Sequence, residues 1–236
     1  MAAIDIDAVV RANLERVRGR IAEACEKAGR SVNEVTLVGV SKYVGIEETR
    51  ALLRAGCFAV GESRPQQLWE KIAALDDFEE GQQWHLIGHL QRNKVARTCE
   101  AGPLIFQTVD SPRLLSAIDK SMDGRFWSAP AYLEVNVSGD QEKHGFNPED
   151  LPAIIEELGK YQNVKVQGLM TMAARDGGPD TARRNFATLR ELRDRLATPN
   201  LPLEKLSMGM SGDFELAVLE GATHLRVGSA LWEGIR

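Results

Sequence analysis

Cysteine is scarce in this chain and poorly placed for cross-linking. The 236 residues hold three cysteines, Cys25, Cys57 and Cys99. They are odd in number, far apart and in no CxxC pair, which argues against a disulfide framework or a zinc site and leaves reduced, partly buried thiols as the expectation. Long apolar runs are missing as well, and none approaches the length of a bilayer span. The opening MAAIDIDAVV lacks the basic and apolar regions of a signal peptide. Blocks of one charge are also absent: the net charge is -5, with acidic and basic residues interspersed. Nothing in that balance suggests a nucleic-acid or membrane surface. No linker rich in Gly, Pro or Ser interrupts the chain, and the mildest boundary candidate, Arg175 to Asp180, reads as a loop. The expectation is a soluble cytoplasmic protein made of one domain over residues 1–236.

What the chain does have is rhythm. It is 43% hydrophobic, enough to bury a full core. Ile6, Val9, Val10, Leu14, Val17, Ile21 and Ala24 give the segment Ile4 to Gly29 one apolar helical stripe, with Gly29 as the stop. The run Glu34 to Tyr43 follows, and its middle, Val35 to Val40, reads as a strand buried on both faces. Seven further strands are expected at Cys57–Val60, Gln83–Ile87, Leu104–Val109, Ala131–Val137, Val164–Leu169, Leu203–Met208 and Thr223–Val227. Helices are expected between them at Ile46–Ala55, Pro65–Leu75, Gln91–Cys99, Ser111–Met122, Pro148–Lys160, Pro179–Leu196 and Phe214–Glu220, and a short one at Ala230–Ile235 closes the series. Ser111-Pro112 is a good N-cap followed by proline at the first helical position. Eight strand–helix units require parallel pairing and close most naturally into a single (β/α)8 TIM barrel carrying an extra N-terminal helix; an open doubly wound sheet obeys the same periodicity.

If the sheet closes, the strand C-terminal ends share one rim. That rim collects Lys42, Gly61-Glu62-Ser63, His85 to Gly88, Asn136, Met170, Ser207 to Ser211, and Arg226 to Ser229. A lysine at a strand end snorkels to solvent or, desolvated, forms a Schiff base with a carbonyl. Ser207-Met-Gly209-Met-Ser211 and Gly228-Ser229 leave the seventh and eighth strands as small residues whose backbone N–H groups can approach an anion, in the usual phosphate seat of this fold. Each glycine alone would be explained by a tight turn; the two coincide on adjacent strands. Arg226 shares a strand face with Gly228 and could donate to a ring nitrogen or sit paired with an acid. Lysine, phosphate donors and a cation together suit an aldehyde carrying a phosphate, and pyridoxal 5′-phosphate is the common cofactor of that kind.

These stretches resemble the pyridoxal phosphate homeostasis protein family, the alanine-racemase-like barrel proteins. The resemblance rests on Leu37-Val-Gly-Val-Ser-Lys42, Trp84 to Lys94, Val109-Asp110-Ser111, Glu134-Val-Asn136-Val, Lys143-His-Gly145-Phe146, Gly168-Leu-Met170, Leu206 to Asp213 and Arg226-Val-Gly-Ser229. It implies an alanine-racemase-type barrel, monomeric or weakly associating, with Lys42 holding the cofactor as an aldimine. It further implies that Ser207, Gly209, Ser211, Gly228 and Ser229 surround the phosphate and that Arg226 faces the pyridine nitrogen. Ser63 stands where the family usually has an asparagine that contacts the cofactor, so the ring's support on that side is open. His85 is either a pocket residue or a core histidine. His85 and His89 straddle a strand end, which argues against a metal pair. Glu142 to Gly145 reads as a mobile loop over the rim, and the arginines from Arg183 to Arg195 as a solvated helix face.

Three functions follow from such a site. The resemblance implies a carrier that buffers the cofactor and supplies it to apo-enzymes, without robust catalysis. A racemase or decarboxylase is the alternative, and it is disfavoured because the related enzymes carry a further β domain and because none of Tyr43, Tyr132 and Tyr161 is a convincing acid opposite Lys42. A Schiff-base aldolase acting on a phosphosugar is the third, set aside on fold-level analogy.

Overall fold

The alternating pattern builds eight parallel strands in a closed ring, ordered β1 to β8. The computed structural model of the protein describes residues 4–76, 81–140 and 144–235. Helix α1 (Ile6–Lys27) precedes β1 (Thr36–Val40), which leads through α2 (Ile46–Arg54) to β2 (Ala59–Glu62). Then come α3 (Pro65–Ala74), β3 (Gln83–Leu86), α4 (Val95–Glu100) and β4 (Leu104–Val109). The next units are α5 (Pro112–Ser121), β5 (Ala129–Glu134), α6 (Leu151–Glu156) and β6 (Val164–Met170). The chain ends with α7 (Gly178–Leu196), β7 (Lys205–Ser207), α8 (Phe214–Leu219), β8 (His224–Val227) and a 3-10 turn at Ser229–Leu231. Closure is set by β1, which pairs with β2 at Gly39↔Val60 and with β8 from Thr36↔His224 to Gly39↔Val227.

Strand alternation divides the side chains into two sets. Leu133, Leu169, Leu206, Leu225 and Val227 point outward and are fully buried beneath the helices. Burying a Leu or Val side chain in this way contributes about 1.5–3 kcal/mol. The inward set is unusually polar and is described below. Helix α1 is started by Asp5, whose carboxylate accepts the Ala8 N–H at 3.1 Å, and it lays Val10, Leu14, Val17, Ile21 and Ala24 across the barrel wall. Asn13 ties it to the chain's end, donating to Leu231 O at 3.0 Å and Glu233 O at 2.9 Å. Ser111 caps α5 as its sequence suggests, accepting from Leu114 N–H at 3.3 Å.

The differences from the sequence reading have local causes. β7 starts at Lys205 and not at Leu203, whose φ of 46° is left-handed and cannot continue a ladder. The Gln91–Cys99 segment opens with a 3-10 turn at Arg92–Lys94, and Pro148–Lys160 divides into α6 and a 3-10 turn at Leu158–Lys160. The arginine face of α7 is not wholly solvated: Arg183 and Arg190 both pair with Glu220, which is 6% exposed. The three cysteines are free and buried. No helix is long and apolar enough to cross a membrane among the described residues. Residues 141–143, part of the loop expected over the rim, lie outside the described residues.

Candidate functional site

The lysine expected at the end of β1 is presented by a buried ion pair. Ser41, the residue before it, is fully buried, and its carbonyl accepts from Lys71 Nζ at 2.7 Å. The same ammonium donates to Glu62 Oε2 at 2.6 Å, and the two side chains are 5% and 0% exposed. The other oxygen of Glu62 accepts from the N–H groups of Ser63 at 2.7 Å and Arg64 at 3.2 Å. One charge pair therefore fixes the backbone before Lys42 and at Ser63, on neighbouring strands. Lys42 itself is half-buried, with Nζ 4.8 Å from the Tyr43 ring centroid, and it makes no hydrogen bond or ion pair among the described residues. Its amine is available to a ligand.

On the other side of β1, the exits of β7 and β8 meet. Ser211 Oγ accepts from Gly228 N–H at 3.1 Å and, more weakly, from Ala230 N–H at 3.4 Å, so donors from this loop converge on one oxygen. Gly209 has φ 92°, and a Cβ there would lie 2.6 Å from Ala217 Cβ, so only glycine lets this loop pack on α8. At Gly228 a Cβ would sit 3.3 Å from Val40 Cβ, which brings the loop against the strand that ends in Lys42. A cleft of about 570 Å3 opens there, lined by Tyr43, Ser211, Gly212, Ser229 and Trp232. The expected helix N-terminus at Gly228-Ser229 is a 3-10 turn of only three residues, so the N–H groups themselves are what the site offers an anion.

Beneath the mouth, a chain of hydrogen bonds crosses the lumen, since it joins strands that are not neighbours. Arg226 on β8 donates to Ser207 Oγ at 2.7 Å and to Thr171 O at 2.9 Å. Ser207 on β7 donates to Gln107 Oε1, and Gln107 Nε2 on β4 lies 2.8 Å from His85 Nδ1 on β3. That order of donors leaves the His85 proton on Nε2, a fully buried atom with no partner among the described residues. The Ser207 side chain, expected with Gly209, Ser211, Gly228 and Ser229 around an anion, is engaged inside the lumen by Arg226 and Gln107. His85 is likewise enclosed, at 0% exposure. Burial, reinforced by His224, pushes its pKa down to about 3, so the ring is neutral. His224 is lowered to about 4, mainly by burial and then by Lys205 and Arg226, and it shares a 3.2 Å hydrogen bond with Tyr132 Oη.

Arg226 is 5% exposed, and among the described residues no carboxylate caps it directly. Burial lowers it to about 10, opposed by the negative charges of Glu134 and Asp213, so it stays a cation at neutral pH. The same enclosure, with Asp110 nearby, raises Glu134 to about 7. Residues that sequence reasoning missed include Lys71, Gln107 and Thr171, and Glu134 was noted only as part of a family motif.

The family described as alanine racemase, N-terminal domain, matches residues 12–234. The pyridoxal phosphate homeostasis protein of Aquifex aeolicus (strain VF5) is 40% identical over 220 residues, covering 93% of this chain and 95% of that protein. The chain belongs to the pyridoxal phosphate homeostasis protein family. Similar solved structures include an unknown protein from Bifidobacterium adolescentis, at 33% identity and TM-score 0.89 over 98% of this chain and 97% of that one. Another is PipY of Synechococcus elongatus PCC7942 with PLP bound, at 35% identity and TM-score 0.78 over 89% of this chain and 99% of that one. In the frame of this family, the stretches Leu37–Lys42, Glu134–Val137, Gly168–Met170, Leu206–Asp213 and Arg226–Ser229 all run to strand C-terminal ends. They meet on one rim, around the mouth that holds Lys42.

Proposed function

We propose that this chain binds pyridoxal 5′-phosphate in the barrel mouth and serves cofactor homeostasis, holding the cofactor covalently through Lys42 and buffering or supplying it. The observation that carries the reading is the juxtaposition, on the adjoining exits of β1 and β8, of an unengaged amine and a loop whose N–H groups converge on one acceptor oxygen. These residues fit the group: an amine for the aldehyde, N–H groups and hydroxyls for the phosphate, and a buried cation for the ring nitrogen. The PLP-bound PipY structure and the relatives named for pyridoxal phosphate homeostasis support it.

In this reading Gly209, Ser211, Gly228 and Ser229 take the phosphate and Arg226 takes the pyridine nitrogen. Ser207 acts from below by accepting from the guanidinium directly, and His85 supports it through Gln107. Ser63 lines the side next to Lys42. The cofactor supplies a reversible amine trap and an electron-withdrawing ring. The carrier reading is favoured over a racemase by where the phenols lie. Tyr132 is buried in the lumen against His224, Tyr161 bonds to Pro112 O at 3.4 Å on the outer side, and Tyr43 lies beneath Lys42 itself. None opposes the amine across the mouth. We extend the proposal to a cytoplasmic protein of one domain, monomeric or weakly dimeric, whose partners are apo-forms of pyridoxal phosphate enzymes.

The test is the absorbance spectrum of purified protein with added pyridoxal phosphate, before and after borohydride, with peptide mass mapping. A band removed by borohydride, with the pyridoxyl mass on the peptide containing Lys42 and no labelling of Lys42→Ala, is expected. A colourless protein, or label spread over surface lysines, would overturn the reading.

A further inference from the structure

Across the mouth from Lys42, three loops bring together two imidazoles and a carboxylate. His89 follows β3, Asp110 follows β4 and His144 follows β5, whereas Lys42 follows β1, on the far side of an eight-strand ring. His89 Nδ1 lies 2.9 Å from Asp110 Oδ2, and His144 Nδ1 lies 4.0 Å from the same oxygen. The ligand atoms of all three lie within 4.8 Å of one another. The rings stack at 4.3 Å between centroids, 15° from parallel, and the Asp110 Oδ2 atom is the shared neighbour of both Nδ1 atoms. Asp110 Oδ1 is held by the Ser111 hydroxyl at 3.0 Å, leaving Oδ2 to face the histidines, an arrangement in which an outer hydrogen bond orients a ligand.

Ion pairing alone accounts for His89 but not for His144. Two stacked imidazolium rings would repel, and one carboxylate neutralises only one of them. An ion seated at Asp110 Oδ2 would take the place of the proton shared with His89 Nδ1 and would draw the lone pairs of both Nδ1 atoms to one centre. We propose that His89, Asp110 and His144 form a binding site for a divalent transition-metal ion of the Zn2+ or Co2+ class. Two nitrogens and one oxygen suit these borderline ions, whereas Mg2+ and Ca2+ take oxygen sets. Metal–ligand bonds of about 2.0–2.2 Å need the three atoms roughly 3–3.5 Å apart. The His89–Asp110 contact, at 2.9 Å, lies just under that spacing and opens slightly around an ion, while His144, at 4.0 Å from the same oxygen, moves inward. The two histidine side chains are 45% and 61% exposed, so the ion enters from solvent. Beside the cluster, a hollow of about 600 Å3 bordered by Asp110, Asn136 and Asp140 leaves room for water in the remaining coordination positions. Three protein ligands with an open position describe a site able to take a further donor.

The experiment is titration of chelator-treated full-length protein with Co2+ and Zn2+, read by visible absorbance and calorimetry. The expected result is one ion per chain, a Co2+ spectrum unlike that of the hydrated ion, and a rise in unfolding temperature with Zn2+. His89→Ala and His144→Ala, checked for unchanged circular dichroism, should each weaken binding at least tenfold. Asp110→Asn should weaken it without unfolding the chain. Lys42→Ala should bind the ion as wild type does, which separates this site from the proposed cofactor site. Binding at several ions per chain, an unchanged Co2+ spectrum, or affinities of the histidine variants within threefold of wild type would overturn the proposal and leave adventitious surface binding only.

Discussion

Replacing Lys71 by methionine should destabilise the protein far more than a lysine on a helix normally would. The substitution keeps an unbranched chain of similar length and removes one charge. Glu62 is 0% exposed, and its Oε2 loses the ammonium at 2.6 Å, while Ser41 O loses the Lys71 donor at 2.7 Å and keeps the Val44 N–H at 3.0 Å. The two N–H groups of Ser63 and Arg64 still reach Oε1, but Oε2 keeps only the long 3.4 Å contact from the Ser41 hydroxyl, so the carboxylate is left poorly satisfied. Breaking a buried pair by removing one partner costs about 3–5 kcal/mol. For a chain of this size each kcal/mol moves the unfolding temperature by about 2–4 °C, which gives a drop of about 6–20 °C. Urea unfolding followed by the fluorescence of the four tryptophans gives the free energy directly. The double variant Glu62→Gln, Lys71→Met removes the stranded charge and should recover part of the loss. A cost below about 1 kcal/mol for Lys71→Met, or a double variant equal to the sum of its singles, would refute the account of the pair as a clamp.

Three further outcomes are expected. His85 and His224 are held neutral with pKa values of about 3 and 4, below the unfolded 6.5; their contribution is complete above pH 6.5 and is lost as pH falls, at about 1.4 kcal/mol per pH unit for each group. His224→Phe should therefore flatten the decline in stability between pH 6 and pH 4.5, and urea curves that stay parallel to wild type would contradict the sign. Gly209→Ala meets Ala217 Cβ at 2.6 Å in a left-handed backbone, so its cost should exceed about 2 kcal/mol by chemical unfolding. Arg226→Ala should keep covalent labelling at Lys42 yet weaken cofactor retention about tenfold or more, as measured by equilibrium dialysis.

The strand and helix units were legible because each has a clear period, and Lys42 was legible because it ends the most apolar of them. The two glycine loops could be read as well, since Gly209 and Gly228 fall at adjacent strand exits. Ser207 was expected around the phosphate because it begins a run of small residues leaving the seventh strand. In the structure it is the last residue of β7, and strand alternation sends it into the lumen. Register irregularities between Phe106 and Val109, and between Ala131 and Tyr132, shift which side chains face inward on β4 to β6. Hydropathy carries no trace of such shifts, so the path from Arg226 through Gln107 to His85 was hidden. Lys71 was hidden for a different reason. It sits on a helix with ordinary polar neighbours, and only the closure of β1 on β2 brings Ser41 and Glu62 to it. His89, Asp110 and His144 come from three separate loops, and only the order of strands around the ring makes them neighbours.

The Ser211 hydroxyl has a consequence for how ligands come and go. Partly buried N–H groups without an acceptor are costly, by about 1–3 kcal/mol each. Here the loop supplies its own acceptor to Gly228 and Ala230. In the proposed reading, an arriving anion would exchange one oxygen for another, and a departing one would leave no unpaired donors behind. The difference between the filled and the empty loop is thereby narrowed from both sides, which favours rapid turnover of the occupant over permanent capture. Under the proposed function, a site with a spare plug of this kind would be shaped for lending.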